Sequence, residues 1–312
     1  MQRLSNIDQK LIIYKVLENQ FSANQSSSYF KRRIAAILVF AVFFIMLGRH
    51  LTFLPVINLS RETKETDLKK EIAQITKDKK GFYSYYFKDL KSDNSLGVSQ
   101  DQIETGASVN KLPIIAALYY LDNQGKIDLD DRVTIQKDDV QDYGTGSIRY
   151  QEMPQTYSLK NLAKLALKNS DNTAAHVISI TVGEDKVQDL VDSWEMTQTD
   201  MVNNKTTAYD MGLLFQRIYD GKITTPAKTK ELLGFMTDTD FEDRLTKGLT
   251  KDAKIYHKTG DGEGFVHDVG IIETEKNAYY LGVMTSDIGE DEQETKNTIA
   301  EISKKIFESV NN

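Results

Sequence analysis

Gly106-Ala-Ser-Val-Asn-Lys-Leu-Pro113 leads into the apolar run Ile114-Ile-Ala-Ala-Leu-Tyr-Tyr-Leu121. Residues 109–121 read as a helix that ends near Gly125, with Ser108 at its start. Residues three apart share a helix face, so Ser108 and Lys111 lie side by side. A serine hydroxyl is a weak nucleophile until a neighbouring base takes its proton. A lysine can be that base where burial and nearby positive charge lower its pKa. The helix start adds free backbone N–H groups and a positive dipole end, suited to a developing oxyanion. Pro113 removes one early helical hydrogen bond, which is tolerable this close to the start. Taken alone, the pair reads first as a serine cap followed by a solvated lysine.

Two further short motifs lie downstream. Ser170-Asp-Asn172 falls between a helix over 158–168 and the apolar stretch after Thr173. Taken alone it reads as cap and turn chemistry. Lys258-Thr-Gly260 precedes a glycine-rich strand. Strand neighbours point to opposite faces, so Lys258 and Thr259 can share a site only through local distortion or long reach. The chain also carries a second Ser-x-x-Lys at Ser28-Tyr-Phe-Lys31 and a second Ser-Asp-Asn at Ser92-Asp-Asn94. The first decoy lies in the N-terminal tail, and the second in a turn upstream of Ser108. Only the set 108, 170 and 258 gives each motif a context in which it could work.

Around these motifs the elements follow an α+β order. A short amphipathic helix carries Leu68, Ile72 and Ile75, and Phe82–Phe87 reads as a strand followed by a turn and a second strand. Helices over 158–182 and 206–220 fill the middle. Phe265–Glu273 and Ala278–Thr285 read as strands, and Ile299, Ile302, Ile306 and Val310 mark a final amphipathic helix. This predicts an antiparallel sheet built from distant segments, flanked by terminal helices, with an all-helical region inserted.

Composition narrows the function classes. A net charge of −7 over 312 residues argues against a nucleic-acid partner. There is no cysteine, hence no disulfide, thiolate metal site or cysteine nucleophile. The four histidines, His50, His176, His257 and His267, form no metal-binding pair, and no cofactor is expected.

Near the N-terminus, Lys31-Arg-Arg33 precedes an uncharged run from Ile34 to Leu47, and apolar character resumes from Leu51 to Ile57. A spanning helix needs roughly 20 apolar residues, and Arg49 can snorkel, so 34–54 is a feasible membrane span. A cleavable signal peptide fits less well, because about thirty residues precede the run and no Ala-x-Ala site follows it. The basic cluster keeps the N-terminus in the cytoplasm and the rest outside the cell. The expected organisation is a cytoplasmic tail at 1–33, an anchor at 34–54, a stalk at 55–70 and a catalytic domain at 71–312.

Taken together, the three motifs resemble the active-site-serine penicillin-recognising superfamily, class A β-lactamases and penicillin-binding proteins. The resemblance covers about residues 62–312. It extends to Leu167-Lys-Asn-Ser-Asp-Asn-Thr-Ala-Ala175, Asn204-Lys-Thr-Thr-Ala-Tyr-Asp-Met211 and His257-Lys-Thr-Gly-Asp-Gly-Glu-Gly264. It implies a β-lactamase/transpeptidase-like fold and an acyl-enzyme on Ser108 formed from a β-lactam or a peptidoglycan-type D-alanyl-D-alanine amide. Lys111 would then be the base, and Ser170 the donor to the leaving nitrogen. Asn172 would bind the substrate's amide side chain. Lys258, Thr259 and Gly260 would form the substrate-carboxylate edge, and the backbone N–H groups of Ser108 and Asp261 the oxyanion hole. No metal or organic cofactor is implied.

The sequence departs from class A β-lactamases at the glutamate that activates the deacylating water. Trp194-Glu195 is followed by Met-Thr-Gln-Thr199, with no Leu-Asn in register, and the loop looks deleted. Glu195 and Asp200 are weak candidates for that base. Acylation with slow ester hydrolysis is the expectation. A competent β-lactamase and a non-catalytic module binding cell-wall peptides are the alternatives. Tyr143-Gly-Thr-Gly146 reads as a cleft rim or a plain glycine loop, and His267-Asp268 as a structural pair.

Overall fold

The computed structural model describes Leu38–Phe40 and residues 59–311. The predicted tail lies outside the described residues, and so does the predicted anchor apart from Leu38–Phe40. No helix among the described residues is long and apolar enough to cross a membrane. The chain divides into two units at Leu59/Ser60, and the second, Ser60–Asn312, carries all three motifs.

In chain order that unit contains α1 (Leu59–Thr76), β1 (Phe82–Asp89), β2 (Ser95–Val98), β3 (Glu104–Thr105), a 3-10 turn (Ala107–Asn110) and α2 (Lys111–Asn123). Next come β4 (Arg132–Ile135), β5 (Gln155–Ser158), α3 (Leu159–Lys168), α4 (Asn172–Val182) and α5 (Glu184–Ser193). Then follow β6 (Lys205–Thr206), α6 (Ala208–Tyr219), α7 (Pro226–Gly234), β7 (Lys254–Gly262), β8 (Phe265–Glu273), β9 (Ala278–Ser286) and α8 (Glu292–Asn311). Helix α1 begins inside the stretch read as a stalk.

Five strands form one antiparallel sheet in the order β2-β1-β9-β8-β7, joining the two ends of the unit as the α+β order predicts. Alternation along β9 divides the core. Tyr279, Leu281 and Val283 pack with Ile72 of α1 and Ile299, Ile302 and Ile306 of α8. Tyr280 and Met284 face the opposite way, among Leu112, Ile115, Leu162, Ile178 and Phe215 of the helical region. The sheet is therefore covered on both faces by apolar side chains removed from water.

The helical middle is cut where polar side chains cap it. Residues 158–182 hold two helices. Ser158 Oγ accepts from the Asn161 N–H at the start of α3, and Asp171 accepts from the Ala174 N–H at the start of α4. The break between them holds Ser170 at a positive φ of 54°. The break falls at the Ser-Asp-Asn motif, where the sequence places a boundary between two helical stretches.

Candidate active site

Ser108 lies in the 3-10 turn that runs directly into α2, and Lys111 is the first residue of that helix. Pro113 is the third, where a backbone N–H would have no partner within the helix. The turn is tethered at its start. Gly106 N–H donates to Asn204 O at 2.7 Å, and β3 pairs with β6 just before it. Ala107 takes a positive φ of 46° immediately before the serine. An alanine in that region is unusual, and such departures gather at functional sites.

The turn also meets β7. A Cβ built on Gly260 would stand 2.9 Å from Gly106 O, 3.1 Å from Val109 N and 3.3 Å from Ser108 N. Only glycine lets the edge strand approach the serine turn this closely. The motif lies within β7 and not ahead of a strand as expected. His257 N–H, on the same strand, donates away from the sheet to Met236 O at 2.9 Å. The β7–β8 register is unbroken, so alternation puts the N–H groups of Thr259 and Asp261 on that same open edge.

Ser108, Lys111, Ser170, Asn172, Thr259 and Asp261 all line one cleft of about 460 Å³. Ser108 Oγ has no hydrogen-bond partner among the described residues. Lys111 Nζ donates to Ser170 O, to Ser170 Oγ at 3.1 Å and to Asn172 Oδ1 at 2.6 Å. Lys258, beneath the cleft wall, donates to the same Ser170 Oγ at 3.0 Å and to Thr259 O at 2.8 Å. The second bond is to a backbone carbonyl, so Lys258 reaches the site from its own face of the strand. Lys258 is fully buried, not solvated as an edge-strand lysine usually is.

Two buried amines therefore meet on one hydroxyl. Burial drives the Lys111 pKa down to about 7, against an opposing pull from Asp171. Burial, and then the neighbouring Lys111, hold Lys258 well below its ordinary value. With its pKa lowered toward neutrality, Lys111 can give up a proton near pH 7 and then take one from a hydroxyl. The Ser170 hydroxyl can pass a proton between the amines and any atom held above it.

Asp171 is the staple of the site. Its Oδ1 accepts from Ala174 N–H at 3.0 Å, while Oδ2 accepts from Ser147 N–H at 2.7 Å and Ile148 N–H at 2.9 Å. These bonds tie the 143–148 loop to Ser170 and Asn172. Asn172 Nδ2 donates to Tyr143 O at 2.9 Å, and Thr145 Oγ1 to Ser170 O at 2.7 Å. Tyr143, Gly144 and Thr145 line the cleft, so the loop is a rim. Gly146 has φ 124°, and a Cβ there would sit 2.4 Å from Asp171 Cγ.

Three features were not legible in the motifs. His267 and Asp268 are not a pair. Strand alternation turns them to opposite faces, each with its own partner. His267 Nε2–H donates to Thr105 O at 2.8 Å, and Nδ1 accepts from Thr285 N–H at 3.1 Å, which fixes a neutral ring. Burial holds its pKa near 4. Asp268 instead meets His257 Nδ1 at 2.8 Å. The third feature is Arg244, wholly buried behind the cleft wall and bound to Asp261.

The second candidate set, for the water-activating base, does not reach the cleft. Glu195 turns outward to Arg217 Nη2 at 2.7 Å, and its side chain is 77% exposed. Asp200 accepts from the backbone and side chain of Asn203. Asp261 is the one carboxylate lining the cleft among the described residues.

The His257 cluster carries a pH prediction. Burial opposes its charge, but Asp268 and Glu242 outweigh it and raise the pKa from 6.5 to about 9. A raised pKa gives stability that is complete below pH 6.5 and lost as pH climbs through about 9. Lys111 and Lys258 titrate with the opposite sign, and they cancel when the chain is compared with a His257→Gln variant. The gap in unfolding midpoint between the two is expected to narrow from pH 6 to pH 10, as followed by urea denaturation. An unchanged gap contradicts the assignment.

The model of the β-lactamase enzyme family matches residues 67–310. Among solved structures, PBP-A is 28% identical with a TM-score of 0.73, over 78% of this chain and 96% of that one. The TLA-1 extended-spectrum β-lactamase is 21% identical with a TM-score of 0.74, over 80% and 100%. A β-lactamase from Sphaerobacter thermophilus DSM 20745 is 21% identical with a TM-score of 0.73, over 79% and 97%. No curated protein matches by sequence. With the serine turn, the capped break and the edge strand brought to one cleft on a sheet of this order, the chain belongs to the β-lactamase enzyme family and has its serine-hydrolase fold.

Proposed function

We propose that Ser108 is acylated by β-lactams or by D-alanyl-D-alanine-like cell-wall amides, and that the ester is released slowly. The Ser108 proton passes to the Lys111 amine as the Oγ–acyl bond forms. The oxyanion sits between the N–H groups of Ser108 and Asp261. The C–N bond then breaks, and the proton travels from Lys111 through Ser170 Oγ to the leaving nitrogen. Asn172 Nδ2 is placed to meet an amide on the acyl side, and Thr259 borders the leaving group.

The observation that carries this reading is the shared hydroxyl: Ser170 Oγ lies 3.1 Å from Lys111 Nζ and 3.0 Å from Lys258 Nζ, in the cleft that holds Ser108. A variant of PBP-A, 27% identical to this chain, has been solved as an acyl-enzyme complex with penicillin G. Slow release is supported by the outward placement of Glu195 and Asp200. The charge pattern around residues 34–54 supports a single-pass anchor with this domain outside the cell.

A fluorescent penicillin followed on a gel tests both halves. The full chain should take up one label that persists for many minutes, and Ser108→Ala should take up none. Rapid multiple turnover would instead favour a competent β-lactamase. Labelling that survives Ser108→Ala would remove the serine from the mechanism.

A further inference from the structure

The cleft does not end at the three motifs. It continues between α2 and α4, which pack against each other. Asn172, His176 and Ser179 follow one another at intervals of four and three residues, so they share one face of α4, and all three line the cleft. Ile114 lies one turn beyond Lys111 on α2 and lines it too. The third side is the tight turn closed by Asp200 and Lys205, whose N–H groups donate to each other's carbonyls at 2.9 and 2.8 Å. That turn presents Met201 and Asn204 to the cleft. Asn204 is held at a positive φ of 51°, and its Oδ1 accepts from Asn110 Nδ2 at 2.7 Å.

His176 is the unspent group of this stretch. It is half-buried, and neither ring nitrogen has a hydrogen-bond partner among the described residues. An imidazole offers at least one N–H donor in any protonation state. His257 and His267, by contrast, have both ring nitrogens engaged. Ile180, beside Ser179, is 58% exposed, so the far end of the stretch opens to solvent.

From Asn172 to Ser179 the helix advances about 10 Å, at about 1.5 Å per residue. An extended peptide advances about 3.3–3.6 Å per residue, so the groove matches about three residues of it. Polar side chains on α4 can meet its peptide groups, while Ile114 and Met201 can meet its side chains. In the acyl-transfer reading the leaving nitrogen lies toward Ser170 and the acyl side toward Asn172. What runs beyond Asn172 is therefore the arm of the acyl donor.

We infer that this groove takes an extended peptidyl arm, two residues long ahead of the residue whose carbonyl acylates Ser108, and that His176 is the residue that recognises it. The protein then selects peptidyl donors over short acyl donors. The inference rests on the acyl-transfer reading for the direction of the arm. Its test does not need the chemistry to occur. In the Ser108→Ala full chain no acyl-enzyme can form, and binding can be followed by NMR titration. The ligands are N-acetyl-D-alanyl-D-alanine and the same dipeptide extended at its N-terminus by two and by four L-alanines. The first extension should tighten binding at least about tenfold, and the second by less than about twofold, because the groove is then full. His176→Phe keeps an aromatic ring but removes both nitrogens, and should cut the first gain to within about threefold. Ser179→Trp fills the far end and should cut it as well. No gain on the first extension, a gain that keeps growing on the second, or a gain that survives both substitutions overturns the inference. The length series needs no change on α4 and decides the matter even if either variant folds poorly. In a parallel arm, mass spectrometry follows benzylpenicillin on the unsubstituted chain. Absence of a Ser108 adduct refutes acyl transfer, while the length series still decides the role of the groove.

Discussion

Lys111→Met is expected to slow acylation of Ser108 by about 10²–10⁴-fold with the fold intact, the range typical for loss of a positioned proton acceptor. Met matches the lysine stem in length and flexibility and is at home in an apolar interior. The helix that carries it, Lys111–Asn123, is buried along most of its length and does not depend on the amine for its packing. What disappears is the group whose pKa burial has brought to about 7. Lys258 remains on Ser170 Oγ at 3.0 Å. Its N–H groups are engaged there and by Thr259 O. Stopped-flow acylation with a chromogenic cephalosporin measures the loss. A variant within threefold of the parent rate would show that some other group takes the proton.

Asp171→Ala is expected to give the larger loss of stability. The carboxylate is 1% exposed and accepts from three backbone N–H groups, those of Ala174, Ser147 and Ile148. Alanine leaves buried donors without partners, and each costs about 1–3 kcal/mol. Partial relaxation of the 143–148 loop recovers some of this, leaving a loss of about 3 kcal/mol. In a domain of this size that lowers Tm by about 6–12 °C. Acylation should also fall, because the same bonds hold Ser170 and Asn172 over the Lys111 amine. A Tm within 2 °C of the parent would mean that the loop is held by other contacts.

These two residues mark the limit of what the sequence makes legible. The fold order could be read because its signals are local: short apolar runs at Phe265–Glu273 and Ala278–Thr285 around a Glu-Lys-Asn turn, and helical spacing in Ile299, Ile302 and Ile306. The motifs could be read because each holds its residues within three positions. The role of Asp171 could not, because cap chemistry looks the same whether or not a distant loop shares the carboxylate. Arg244 and Asp261 are 17 residues apart, and His267 and Thr105 are 162 apart. Neither distance leaves a periodic trace. The boundary between the helices at Ser170–Asn172 could be read from its cap residues, but not what holds it. Hydrogen bonds to residues 145–148 hold that break in place.

The account depends most on the state of the Lys111 amine, and the pH dependence of single-turnover acylation reads that state directly. The rate of appearance of the Ser108 penicilloyl adduct, followed by intact-protein mass spectrometry from pH 5 to pH 9, should rise and level off with a midpoint near 7, as the amine loses its proton. A rate that is flat across that range, or that begins to rise only above pH 9, would contradict a buried free amine as the base that activates Ser108.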